Sequence, residues 1–348
     1  MPRVKQAWAS KAKQDTQAND TEEEEDEERR REQARKANCK FEPSSALLEQ
    51  HRQAKARLER ARSKGDRGEE YDATLALAEL QLLRGRYGEA LRYANLAEGL
   101  SAEVTTGDSA VAVRVAVKAM LAEDKLVDAL ELAEGERQFN KLSGNKKAEA
   151  ILGLALAEVL LAGGRARQAV KVLDASLAAF RALGEDLLAA GALKALSAAS
   201  LEIEGSLYSK RSLQAAEDAL KLYRKYGDRA EELKSLLAIS KAHLARHELH
   251  DAYIFAHGAL ELSRQRNNLK EEAVALRELS AVFLAREDIE IAIDAVQDSV
   301  EICQHLTDWA GEISSLVALN NAFQGDRMTN KGLECLEQAL KLARDLRD

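Results

Sequence analysis

The chain is expected to fold as an all-α solenoid built from stacked helical hairpins. Three observations predict this. First, the 348 residues contain only two prolines, Pro2 and Pro43, and pair 46% apolar with 32% charged content. That mixture suits helices that bury one face and wet the other. Second, the stretch from Tyr226 to Ser263 carries two helical stripes in succession. Leu236, Ile239, His243 and Leu244 mark one, and Ala252, Ala256, Ala259 and Leu260 mark the next. Third, the unit recurs. A hairpin of this length cannot bury its face alone, so it has to stack on copies of itself.

The register of the copies follows a small residue in each second helix. Ala90, Ala129, Ala169, Ser212, Ala252, Ala292 and Gly332 are separated by 39, 40, 43, 40, 40 and 40 residues. Seven positions later Ala97, Ser176, Ala219, Ala259, Ser299 and Ala339 supply a second small residue, with Glu136 the exception. Seven hairpins follow from this spacing.

Taken in order, residues 1–43 are a charged tail. Arg3, Lys5, Lys11 and Lys13 surround Trp8, an acidic run from Glu22 to Glu28 follows, and Arg29, Arg30 and Arg31 close it. So few apolar residues with so much charge predict disorder. Residues 44–64 read as a capping helix, opened by Ser44-Ser45 after Pro43 and running from Ala46 to Ser63. The solenoid occupies 65–348. Gly85 and Gly163-Gly164 mark tight turns inside the first and third hairpins. The fourth hairpin carries three extra residues within 202–212, and a longer turn bulging from the edge is expected there. The last helix leaves Leu333, Leu336, Leu340 and Leu342 without a following helix to cover them.

The joints between hairpins carry the pattern Gly-Asp-Arg-x-x-Glu. It is complete at Gly65, Asp66, Arg67 and Glu70 and again at Gly227, Asp228, Arg229 and Glu232, and Gly107-Asp108 and Gly184-Glu185 approach it. With the period near 40, these joints resemble the long form of the tetratricopeptide repeat, as in kinesin light chains and the spindle-orientation adaptors that carry G-protein-regulatory motifs. The resemblance covers about 65–348. It implies a right-handed superhelix and a role in binding protein or peptide partners along the concave face. The usual small residue of the first helix is here Ala78, Ala157, Ser197 or Ser280, and the proline that often closes the second helix is absent.

Several function classes are set aside by the sequence. A net charge of −8 argues against a nucleic-acid surface. No apolar run reaches the ~20 residues that span a bilayer. Three separated cysteines, Cys39, Cys303 and Cys335, suit a reducing, cytoplasmic setting with packed thiols. No phosphate-binding glycine loop, nucleophile elbow or Cys–His pairing is present, so neither catalysis nor a cofactor is expected. His243, His247, His250 and His257, with Glu248 and Asp251, approach metal-ligand spacing. Yet His243 stands where Phe283 and Phe323 stand in the next two units, which favours a packed ring over a ligand. Tyr87, Tyr93, Phe180, Tyr223 and Phe255 are assigned to packing.

The binding surface expected is the groove lined by first helices. Counting from each anchor places Arg114, Lys118, Lys194, Lys234, Lys241, Arg277 and Asn321 there, among Leu75, Leu154, Leu237 and Val317. Glu79, Glu158, Glu202 and Glu278 are the acids. A basic–apolar trough in an acidic protein predicts a partner peptide that is acidic with apolar anchors. The Lys-Asn-Asn-Lys-Arg carboxylate clamp of chaperone-binding repeats does not match these positions. The alternatives are a self-assembling cytoskeletal or motor component joined through the C-terminal helix, or a repeat module of a larger regulator.

Overall fold

The computed structural model describes residues 43–101, 104, 109–306 and 308–345. The charged tail and the Gly107-Asp108 joint therefore lie outside the described residues. Residues Leu47–Asp348 make one compact unit, and the description below concerns it.

Fifteen helices follow one another among the described residues. Helix α1 (Pro43–Lys64) begins at the proline itself, which tolerates the first helical turn because its missing N–H would have no partner there. Seven hairpins succeed it: α2 (Arg67–Leu83) with α3 (Tyr87–Ser101), α4 (Ser109–Ala122) with α5 (Leu126–Leu142), α6 (Lys146–Ala162) with α7 (Ala166–Leu183), α8 (Asp186–Leu201) with α9 (Ser206–Tyr226), α10 (Arg229–Ala245) with α11 (Leu249–Gln265), α12 (Leu269–Ala285) with α13 (Ile289–His305), and α14 (Trp309–Gly325) with α15 (Thr329–Asp345). Every anchor from Ala90 to Gly332 is buried, and so is every second small residue except Glu136.

The anchors are small because each faces a first-helix residue across the hairpin. Ser240 donates from its hydroxyl to the Ala252 carbonyl at 2.9 Å, and in the fourth hairpin the Ser212 hydroxyl donates back to the Ser197 carbonyl at 2.9 Å, with the two hydroxyls 3.0 Å apart. Such contacts leave no room for a larger side chain.

The joint motif has a clear physical reading. Gly65 and Gly227 adopt φ of +69° and +72°, a region costly for residues with a Cβ. Asp66 and Asp228 then cap α2 and α10, accepting from the Glu69 and Glu231 amides at 3.0 and 3.1 Å. The motif glutamate is buried and clamped by two arginines. Arg62 and Arg67 each reach Glu70 at 2.9 Å. Arg224 and Arg229 reach Glu232 at 2.8 and 3.2 Å. Arg264 holds Glu272 at 2.9 Å in the same place one unit later, where Asn268 replaces the aspartate cap.

The fourth hairpin differs from expectation in how it stores its extra residues. Its turn, residues 202–205, is only one residue longer than the three-residue turns of the other hairpins, and the remainder extends α9. Helix α9 starts at Ser206, six residues before its anchor Ser212, whereas α11 starts at Leu249, three before Ala252. Residues Ser206–Arg211 keep helical propensity and lack a breaker, so the insertion becomes nearly a full helical turn rather than a loop.

First helices touch one another from α2 to α14, whereas no second helix touches the next second helix among the described residues. The first helices therefore form the inner, concave wall and the second helices the outer one. From α4 onward three apolar cores succeed one another, spanning α4–α9, α9–α13 and α13–α15, and smaller clusters pack α1 to α4.

Candidate functional site on the concave wall

The cations assigned from the sequence do lie on first helices, and most are already engaged with the neighbouring unit. Arg114 on α4 reaches Glu158 on α6 at 2.7 Å, with Lys118 at 3.9 Å from the same oxygen. Lys194 on α8 pairs with Glu231 on α10, and Lys234 reaches the other oxygen of Glu231 at 2.7 Å. Lys241 on α10 lies 3.8 Å from Glu278 on α12. Arg277 on α12 donates to the Ser315 hydroxyl on α14 at 3.1 Å. Asn321 is exposed and accepts from the Asn320 amide at 3.3 Å. The wall is thus a ladder of inter-repeat contacts rather than a row of free charges.

Protonation preferences reflect this. Burial against the wall lowers the affinity of Lys118 for its proton, and the like charges of Arg114 and Lys194 lower it further against the pull of Glu158. For Glu231 burial works upward, but the hydrogen bonds from Lys194 and Lys234 outweigh it and hold the carboxyl below its ordinary value. Burial raises Glu278 despite Lys241, and its Oε1 has no hydrogen-bond partner.

The apolar side of the site needs correction. Leu237 is only 7% exposed and belongs to the second core, and Leu154 is buried at 1%. An inner helix is packed against its own hairpin partner and against both flanking first helices, which narrows its solvent stripe. On α10 that stripe runs through Lys234, Ala238 and Lys241, so position 238 rather than 237 faces outward. Leu75 is half-buried and Val317 remains exposed. Leu187, seven residues before Lys194 on the same face of α8, is half exposed and was missed. Its place just inside a helix start hid it from a count made from the second-helix anchors.

The histidine cluster is a salt-bridged packing unit. The His243 ring stacks on Phe255 with centroids 5.4 Å apart, and its Nδ1 lies 2.7 Å from Glu248. Arg246 donates to both oxygens of Glu248, at 2.9 and 2.6 Å. Asp251 is close enough for His243, Glu248 and Asp251 to form a three-ligand set. However, a cation there would compete with the Arg246 guanidinium for the same carboxylate. Cys303 and Cys335 are buried and held as thiols by burial, in keeping with packing.

No family model and no curated protein matches the chain. Solved structures do match. The apo form of RapI superposes with a TM-score of 0.60 at 12% identity, over 80% of this chain and 99% of that one. A Rap protein complexed with competence and sporulation factor gives 0.58 at 14% identity, over 80% of this chain and 78% of that one. The tetratricopeptide-repeat sensor of a signal-transduction ATPase from Pyrococcus horikoshii gives 0.56 at 15% identity, over 79% of this chain and 42% of that one. No helix among the described residues is long and apolar enough to cross a membrane. With its seven hairpins, its buried small-residue register and these neighbours, the chain is a tetratricopeptide-repeat-like protein in fold.

Proposed function

We propose that the protein is a non-enzymatic adaptor that holds an acidic segment of a partner protein along its concave wall. The observation that carries this reading is the convergence of Arg114 and Lys118, both on α4, on the single carboxylate of Glu158 on α6, with Lys194 on α8 near enough to add its like charge against Lys118. An incoming carboxylate relieves that crowding of like charge. Leu187 and Val317 supply apolar contacts on the same wall. Structures of the same fold in complex with peptides, such as the Rap conjugation gene regulator of plasmid pLS20 with the Phr* peptide, support a peptide as the ligand class.

The test is a fluorescent library of acidic twelve-residue peptides titrated against the protein. Neutralising Lys118→Gln together with Lys234→Gln is expected to weaken the best binder about tenfold and to flatten its salt dependence, with Tm nearly unchanged. Neutralisation is preferred to reversal because a glutamate at 234 would face Glu231. Binding indifferent to both the substitutions and raised salt overturns the reading.

A second reading, self-association, is favoured by Leu333 and Leu340, which stand more than half exposed on α15. Sedimentation of wild type against Leu333→Gln/Leu340→Gln decides it: concentration-dependent dimerisation that the variant loses supports it, and a monomer throughout ends it.

A further inference from the structure

The extra helical turn of α9 builds a cavity that the other hairpins lack a counterpart for in sequence. Its walls come from the end of α8, the residue 202–205 turn, the start of α9 and the α10–α11 turn, and it is a solvent-open pocket of about 490 Å³. That is within the size range of small-ligand sites. Three kinds of donor meet there. The α9 start presents the backbone N–H groups of Ser206 and Leu207, for which no acceptor exists among the described residues, and Gly205 offers no capping side chain. Lys210, one turn on, has no ion-pair partner among the described residues and joins the wall. Ser200 lines the cavity from α8, is fully buried, and its hydroxyl has no hydrogen-bond partner.

The acids at the cavity are unequal. Glu248 has both oxygens committed to Arg246 and one also to His243. Glu204 alone, exposed at the rim, is uncommitted.

We infer that this cavity is a binding site for a phosphomonoester, its oxygens received by the α9 N-terminus, Lys210 and the Ser200 hydroxyl. Helix N-termini attract such dianions through their free N–H groups and their dipole. A tetrahedral oxyanion uses donors arriving from several directions better than a planar carboxylate does, and here they arrive from α8 and α9 with His247 beside them. A free metabolite and a phosphorylated side chain both present this chemistry. The site lies on the turn edge, away from the concave wall, so it is independent of the adaptor reading.

The experiment uses the full chain and two-dimensional amide NMR. Inorganic phosphate, O-phosphoserine and a phosphoserine peptide are titrated separately, with acetate and chloride at matched ionic strength. Saturable shifts are expected at Ser206, Leu207 and Lys210 with the phosphates and not with acetate or chloride. Lys210→Met should weaken binding about tenfold, Ser200→Ala should weaken it less, and Glu204→Gln should tighten it. Tighter binding of the peptide than of O-phosphoserine assigns the ester to a protein, and the reverse assigns it to a metabolite. Shifts scattered over the basic surface, or equal responses in Lys210→Met and wild type, overturn the inference.

Discussion

A methyl group placed on Gly332 would sit 2.7 Å from Oδ1 of Asn320. These two residues are the last hairpin's version of a contact that pairs Ser240 with Ala252 at the same spacing of twelve residues. The larger asparagine on α14 is matched by the loss of the side chain on α15. Gly332→Ala alone is expected to lower stability by about 1 kcal/mol or more through overpacking. In an Asn320→Ser background the same change should instead stabilise, by up to about 1 kcal/mol, because alanine is the better helix former. Chemical denaturation of the four proteins in the cycle measures the coupling, and additivity would refute the pairing.

The joint clamp makes a second prediction. Glu232 is buried, while Arg224 and Arg229 are more than half exposed. Removing one arginine leaves the other in place, so Arg224→Ala should cost under about 1 kcal/mol. Glu232→Ala removes the shared acceptor and opens a void at the joint, and should cost more than the two single arginine substitutions together. Thermal denaturation distinguishes these, and equal effects would show that the clamp is ornamental to stability.

Gly227 and Gly184, both near φ +72°, end their helices in the left-handed region. Substituting alanine at either should destabilise by about 1–2 kcal/mol with no loss of contacts, since a Cβ there meets nothing within 4 Å. Gly258, inside α11 with equally open space, is the control, and alanine there should stabilise.

Glu248 supplies a pH dependence. The hydrogen bonds from Arg246 and His243 hold its carboxyl down at about 2. An unfolded glutamate titrates near 4.3. A depressed folded value stabilises above the unfolded one, and the gain disappears as pH falls from about 4.3 through about 2. Glu248→Gln should therefore be less stable than wild type at neutral pH, and the two should converge at the acid end. A gap unchanged across that window would mean the bonds add nothing to the charged form.

The hairpin register was readable because it depends on local spacing alone: small residues every forty positions mark where two helices must approach. The pairing of Arg114 with Glu158, 44 residues on, and of Lys194 with Glu231, 37 residues on, was not readable. Those separations differ because the rotation from one hairpin to the next decides which side chains meet, and a one-dimensional repeat carries no record of that rotation. Leu237 was misplaced for a related reason. A stripe drawn for a helix with one buried face is too wide for a helix packed on three sides. The extra residues of the fourth hairpin were located correctly, but their conformation turned on helix propensity continuing backward from Ser212.

Ala215 and Ala216 are adjacent in the chain, yet the first belongs to the α4–α9 core and the second to the α9–α13 core. Tyr223 and Leu220 divide in the same way. One helix is thus a party wall between two interiors that share no other residue. If the protein is pulled from its ends, the hairpins beyond α9 can peel away while the interior before it stays dry, until Tyr223 loses its neighbours. Ala292 and Val296 divide α13 in the same way, so extension of a single molecule should pause at α13 and again at α9, and the chain would yield in stages.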